Sequence, residues 1–155
     1  MSARKYPAFP IAAVSALVRS PEGIALIKRG YPPLSGYWSL PGGVPESYES
    51  LEEALLREVK EEVGIDVEIG RVLSITEYLE IDDEERVKYH YVIITFECKP
   101  LSYKLRAGGD AIEAIWLDPV KALGLELTPT TELVLKALLT GRGGYLGMVK
   151  VKTGG

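Results

Sequence analysis

GVPESYESLEEALLREVKEEVGI, residues 43–65, is the stretch on which the fold and chemistry of this chain turn. Its centre is helical in pattern. Ser50 and Glu53 stand at capping-box spacing, Leu51, Ala54, Leu55, Val59 and Val63 recur near a 3.6-residue period, and Gly64 offers a C-terminal stop. The spacing predicts a helix over residues 50–63 with Leu51, Leu55 and Val59 buried on one side. Glu58, Glu61 and Glu62 fall at i, i+3 and i+4, which gathers their carboxylates on another side. Like charges so placed repel one another unless a cation neutralises them. Oxygen donors of high charge density suit a hard cation, Mg²⁺ ahead of Mn²⁺ or Ca²⁺. Arg57 and Glu49 are spaced to form an ion pair that holds the preceding loop against the helix. The bland alternative is a solvated face built from good helix formers.

The charge distribution sharpens this. Residues 46–68 hold nine acids and two bases, a charge of −7, inside a 155-residue chain whose net charge is −4. The remainder therefore carries +3, and such a nearly neutral body with one acidic patch is not a nucleic-acid binder by bulk charge. The single cysteine, Cys98, excludes an internal disulfide framework and fits a reducing, cytoplasmic setting. The chain has no Asn and no Gln and only two Met, a depletion of thermolabile side chains that suggests a thermophilic source.

Outward from the helix, Val14–Arg19 and Ile24–Arg29 read as paired strands around a Ser20–Gly23 turn. That turn, with Pro7 and Pro10, argues against reading the Arg4-Lys5 start and its apolar run as a secretory signal. No run approaches the length of a membrane helix. Residues 30–45 are loop-like, with four prolines and four glycines. Val67–Leu79 and Arg86–Glu97 read as long strands joined by the acidic turn 82–85, and Ala111–Leu117 as a short one. Pro119–Leu123 and Thr130–Leu139 are helical candidates, the second with a Thr cap. The Gly-rich basic tail, 141–155, takes no assignment from its pattern. Strands and helices interleave without a regular βαβ rhythm, so an α/β (α+β) class with a mixed sheet is expected, as one domain over 1–155.

From Gly43 the chain runs five residues to Glu49, seven more to Arg57-Glu58-Val59, then to Glu61-Glu62 and Gly64-Ile65. This resembles the signature box of the Nudix (MutT-like) hydrolases at every defining position, and GYWSLPGG, residues 36–43, resembles the usual approach to it. One departure is Tyr48, where many members carry glycine; it bears on loop geometry and substrate preference. The resemblance implies an α/β/α sandwich and a Mg²⁺-dependent pyrophosphohydrolase, Mn²⁺ substituting, that cleaves a nucleoside diphosphate linked to another group. It implies that Glu58, Glu61, Glu62 and the Gly42 carbonyl bind metal, that Glu49 and Arg57 orient them, and that the residue matching Glu58 serves as base in some members.

A further acid often comes from a loop beyond the box; here Glu113 is preferred over Asp110. Lys28, Arg29 and Arg106 are candidate phosphate contacts, and Tyr37, Trp38, Tyr78, Tyr89 and Tyr91 candidate base-stacking groups. Arg29, Trp38 and Arg106 are taken as the substrate set. The family's subgroup markers for substrate are missing, which leaves ADP-ribose and a nucleoside triphosphate, normal or oxidised, as leading substrates. The expected partner is a small nucleotide, with no nucleic acid and no membrane. A homodimer is compatible with the family, the apolar first strand and the Gly-rich tail building its interface. Two alternatives are a Nudix-fold module that binds a nucleotide without cleaving it, and a structural Ca²⁺ domain. The intact glutamates argue against the first and the lack of an EF-hand loop pattern against the second.

Overall fold

The computed structural model describes residues 4–153; residues 1–3 and 154–155, the outer ends of the signal-like start and of the Gly-rich tail, lie outside them. β1 (Ile11–Ser20) runs parallel to β6 (Val87–Pro100), from Ile11 opposite Tyr91 to Val18 opposite Cys98. β5 (Val67–Ile81) is the long antiparallel partner of β6, and β8 (Gly144–Lys152) lies parallel to β5 at the sheet's edge. β2 (Gly23–Arg29) pairs with β1 only next to the turn that joins them, at Arg19–Ile24 and Ser20–Gly23. Beyond it β2 diverges to pair with β7 (Ala111–Leu117) and the two-residue β3 (Trp38–Ser39). The space that β2 vacates beside β1 is taken by β4 (Gly42–Gly43). This divergence opens the cleft described below.

Alternation on β1 and β2 divides the core. Val14, Ala16, Val18, Ala25 and Ile27 face α1 (Leu51–Val63) and pack on Leu55, Val59 and Val63. Leu17, Ile24 and Leu26 face the opposite way, onto Ala122 of α2 (Pro119–Ala122) and Val134 and Leu135 of α3 (Pro129–Leu139). Strands buried on both faces explain why these segments read as continuous apolar runs. The result is the expected mixed sheet between helices. Among the described residues, no helix is long and apolar enough to cross a membrane.

α1 starts as its sequence dictates. The Ser50 hydroxyl accepts from the Glu53 amide at 3.0 Å while the Glu53 carboxylate accepts from the Ser50 amide at 2.8 Å, and Gly64 closes the helix at φ 75°. Its buried face begins one turn later than expected. Leu51 is 37% exposed because it is the first helical residue, ahead of the turn where Ala54 and Leu55 meet the sheet. α3 begins at Pro129 with Thr128, not Thr130, as its cap. The tail that carried no assignment is β8, whose partner β5 is remote in sequence.

Candidate active site

A cleft of about 390 Å³ lies between the two divergent parts of the sheet. Gly42, Gly43, Glu58, Glu62, Arg29 and Asp110 line one region of it; Thr76, Tyr78, Tyr89, Tyr91 and Thr95 line another.

The acidic region is assembled by close packing of α1 against β4. Glu62 is 4% exposed, and its Oε1 accepts the Gly42 amide at 2.8 Å. A Cβ on Gly42 would run into the Val14 carbonyl of β1, and one on Gly43 into the Glu58 carboxylate. The glycine pair therefore lets the chain pass between strand and helix, with Glu58 against the backbone. Arg57 fixes the loop. Its Nε and Nη2 donate to the two Glu49 carboxylate oxygens at 2.7 and 2.8 Å, and its Nη1 donates to Glu58 Oε1 at 2.5 Å. Glu49 also accepts the Glu46 amide at 2.8 Å, which closes the turn after β4.

These contacts set the protonation pattern. The Arg57 fork, then the Glu46 amide, holds Glu49 down at about 2. Burial pushes Glu62 up to about 8 against the opposing pull of the Gly42 amide, and the Glu58 charge raises it further. Burial likewise raises Glu58, opposed by Arg57. The Arg29 guanidinium is the one cation near Glu62 among the groups that shift it, and burial lowers Arg29 itself.

Glu61 stands apart from Glu62 but shares Arg57 Nη1 with Glu58. At 100° per residue it turns away from Glu62, and its side chain is 52% exposed, 3.8 Å from Arg57 Nη1. Of the three expected carboxylates, Glu62 is buried and Glu58 half-buried in the cleft, while Glu61 is absent from its lining yet close enough that its charge raises Glu58. Among the described residues, no three acidic, histidine or cysteine groups converge as a ready-made metal cluster.

Other expected residues are also displaced. Glu113 faces Lys28 across the β2–β7 ladder at 3.8 Å and is absent from the cleft lining, whereas Asp110 lines it. Gly108 explains Asp110: a Cβ there would lie 2.6 Å from the Glu61 carbonyl, so only glycine lets the loop pass the end of α1 so closely. The Asp110 carbonyl then accepts the Gly30 amide at 2.9 Å. Arg106 uses its backbone, donating to the Val63 carbonyl at 2.9 Å at the end of α1, and its side chain is exposed. Trp38 packs with the α3-side core because its backbone is tied to Glu126 and Thr128. Lys28 and Tyr37 are likewise outside the lining. Arg29 is in it, its Nε donating to the Pro33 carbonyl at 2.9 Å.

The floor of the cleft is one face of the main sheet, walled by the 31–34 loop and the start of α3. Ser15 and Thr95 share a hydroxyl–hydroxyl bond at 2.8 Å, and Tyr89 and Tyr91 stack with ring centres 6.1 Å apart. Thr76 is fully buried on this floor, and its Oγ1 has no hydrogen-bond partner. The sequence reading did not single out this hydroxyl floor; its signal is the alternation Ser74-Thr76-Tyr78 along β5.

A family profile described as the NUDIX domain matches residues 10–138. The ADP-ribose pyrophosphatase of Methanocaldococcus jannaschii is 37% identical over 109 residues, 70% of this chain and 62% of that protein. A MutT-like protein of Streptomyces ambofaciens is 29% identical over 113 residues, 73% of this chain and 66% of its own. The chain thus spans less than two thirds of either relative. The nucleoside triphosphatase NudI of Escherichia coli is 28% identical over 111 residues, 67% of this chain and 79% of that protein. Among solved structures, the MutT NUDIX hydrolase of Burkholderia pseudomallei superposes with a TM-score of 0.71 at 28% identity, covering 83% of this chain and 97% of that one. The MutT protein of Bacillus halodurans superposes with a TM-score of 0.76 at 22% identity over 92% and 91%, a likeness of fold.

Proposed function

This chain belongs to the Nudix family, and from that premise we propose that it is a divalent-cation-dependent pyrophosphohydrolase acting on a nucleoside diphosphate linked to another group. The observation that carries this reading is the pair Glu58 and Glu62, one half-buried and one buried carboxylate in one cleft whose one ion pair among the described residues is Arg57 on Glu58. A buried carboxylate without a counter-ion is costly unless it is protonated or meets a cation. The donor set is all oxygen, which fits Mg²⁺, with Mn²⁺ as substitute. Glu58, Glu62, the Gly42 carbonyl and, after a side-chain rotation, Glu61 would hold it. When bound, such an ion supplies Lewis acidity toward phosphoryl oxygens and a more acidic water.

The chain's own groups have distinct parts. Arg57, pinned by Glu49, keeps Glu58 oriented. Asp110, which lines the cleft where Glu113 does not, is the additional acid and accepts a proton from the attacking water. Arg29 donates to a phosphate oxygen. Tyr78, Tyr89 and Tyr91 give the nucleoside an aromatic wall.

ADP-ribose and a nucleoside triphosphate are the leading substrates, consistent with the names of the relatives. The test is incubation with a panel of nucleoside diphosphate derivatives and triphosphates plus Mg²⁺, with products separated by chromatography. Nucleoside monophosphate among the products supports the reading. Binding without cleavage would instead make the chain a nucleotide-recognition module.

A further inference from the structure

The basic start of the chain, set aside as a targeting signal, is part of the cleft. Arg4 and Lys5 line it beside Tyr91. Tyr6 holds them there by three contacts. Its amide donates to the Lys88 carbonyl at 2.9 Å, its hydroxyl donates to Asp82 Oδ2 at 2.8 Å, and the Arg86 guanidinium sits 4.7 Å from its ring centre. Asp82 lies at the start of the β5–β6 turn, so these contacts tie the N-terminal segment across the end of that hairpin.

No acid accounts for the two cations; Arg4 has the neutral Tyr91 hydroxyl as its polar neighbour. Asp82, the acid their segment touches, is already satisfied by Arg86 at 3.0 Å and by the Glu84 and Arg86 amides at 2.9 Å each. Neither Arg4 nor Lys5 makes an ion pair among the described residues. Arg29, Arg4 and Lys5 all line the cleft; Arg29 interacts by charge with Glu62 and Asp110 as well as with Tyr91 and Tyr78, and Arg4 with Tyr91. A ligand whose diphosphate lies at Glu58 and Glu62 therefore meets a second, uncompensated positive zone past the tyrosines.

We propose that residues 4–6 form a substrate-binding strap, in which Tyr6 anchors Arg4 and Lys5 so that they hold a phosphomonoester carried by the substrate beyond its scissile diphosphate. This rests on the hydrolase reading for the identity of the diphosphate end. Such a phosphate has two sources, which correspond to opposite directions of the substrate in the cleft: a nucleoside ribose that bears its own phosphate, with the nucleoside on the tyrosines, or the end of a polyphosphate chain that itself runs past them. A dianion gains more from two adjacent cations than a neutral sugar does, and the gain is screened by salt.

The experiment is calorimetric binding to the metal-free full chain, where turnover does not intervene, of three probes: adenosine triphosphate, ADP-ribose and ADP-ribose 2′-phosphate. In the R4A/K5A variant, the Kd of at least one phosphomonoester-bearing probe is expected to rise about tenfold. The rise for ADP-ribose should be at least threefold smaller, and the difference should shrink between 50 and 200 mM salt. Y6F, which keeps both cations and loses the Asp82 bond, should show an intermediate loss. Whichever of the two phosphorylated probes responds names the source. Equal losses for all three probes, no loss, or no binding of any of them to the wild-type chain would overturn the strap. Binding with the expected differences but no turnover in Mg²⁺ would overturn the hydrolase reading and leave the strap standing.

Discussion

Gly42 and Glu62, twenty residues apart in sequence, are joined by a 2.8 Å hydrogen bond from the backbone amide of β4 to a carboxylate buried under α1. The bond ties the strand just ahead of the signature box to the last glutamate of the box and keeps a carboxylate in a place water barely reaches.

The first consequence is a pH dependence of stability. Glu62 sits at about 8 in the folded chain against an ordinary 4.5, so between those values the folded state binds more protons than the unfolded one. Its contribution is complete below about 4.5 and is lost as pH rises through about 8; Glu58, also raised, acts in the same direction. Glu49, held at about 2, acts oppositely but only below its ordinary value of 4.5. Thermal melts in chelator should therefore fall from pH 5 to pH 8, and Mg²⁺ should raise the melting temperature more at pH 8 than at pH 5. Glu62→Gln should flatten the slope. A melting temperature that climbs over this interval would contradict the assignment.

The two glycines of β4 should fail differently. Gly42→Ala drives a methyl into the β1 backbone, which cannot withdraw, and overpacking of this kind costs ~1–3 kcal/mol. Gly43→Ala meets only the end of the Glu58 side chain, which can swing aside. Denaturant melts should show a clear loss for the first and little for the second. Turnover should drop at least tenfold for Gly43→Ala, because Glu58 is displaced.

The Arg57–Glu49 fork acts through Glu58. Glu49→Ala frees the guanidinium that donates to Glu58, and turnover should fall at least tenfold with substrate KM little changed. Glu49→Gln, which keeps one acceptor for Arg57, should recover part of the loss. Equal rates for both variants and wild type would remove Glu49 from the site.

Asp110 and Glu113 separate the two sources of the additional acid. Asp110→Asn should lower kcat by one to three orders of magnitude, as for loss of a positioned acid or base. Glu113→Gln, on the outer face beside Lys28, should stay within about twofold of wild type. The reverse order in steady-state rates would return the role to β7.

What could be read from the sequence was local. The capping box of Ser50 and Glu53, the stop at Gly64 and the helical glutamates are all decided within a few residues, and the structure repeats them. What could not be read depends on partners remote in the chain. Asp110 and Glu113 differ by three residues. Which of them enters the cleft is set by the register shift of the β2–β7 ladder between Lys28 and Arg29, and by the tight passage of Gly108 past Glu61. β8 has a Gly-rich sequence with weak strand preference, and it forms because β5 offers a long open edge. The helical spacing places Glu61 beside Glu58 and Arg57, but a face drawn from i, i+3 and i+4 fans over about 100°, so spacing alone does not say which of the three carboxylates enters the cleft.

Cation-dependent hydrolysis at Glu62 is tested most directly by turnover of ADP-ribose and a nucleoside triphosphate by the wild-type chain and Glu62→Gln, each in Mg²⁺ and in chelator. The wild type should cleave the phosphoanhydride only when the cation is present. The Glu62→Gln variant should lose at least three orders of magnitude in rate, with the fold intact by circular dichroism. Hydrolysis that persists in chelator, or survives Glu62→Gln at near wild-type rate, would contradict the proposed role of the site.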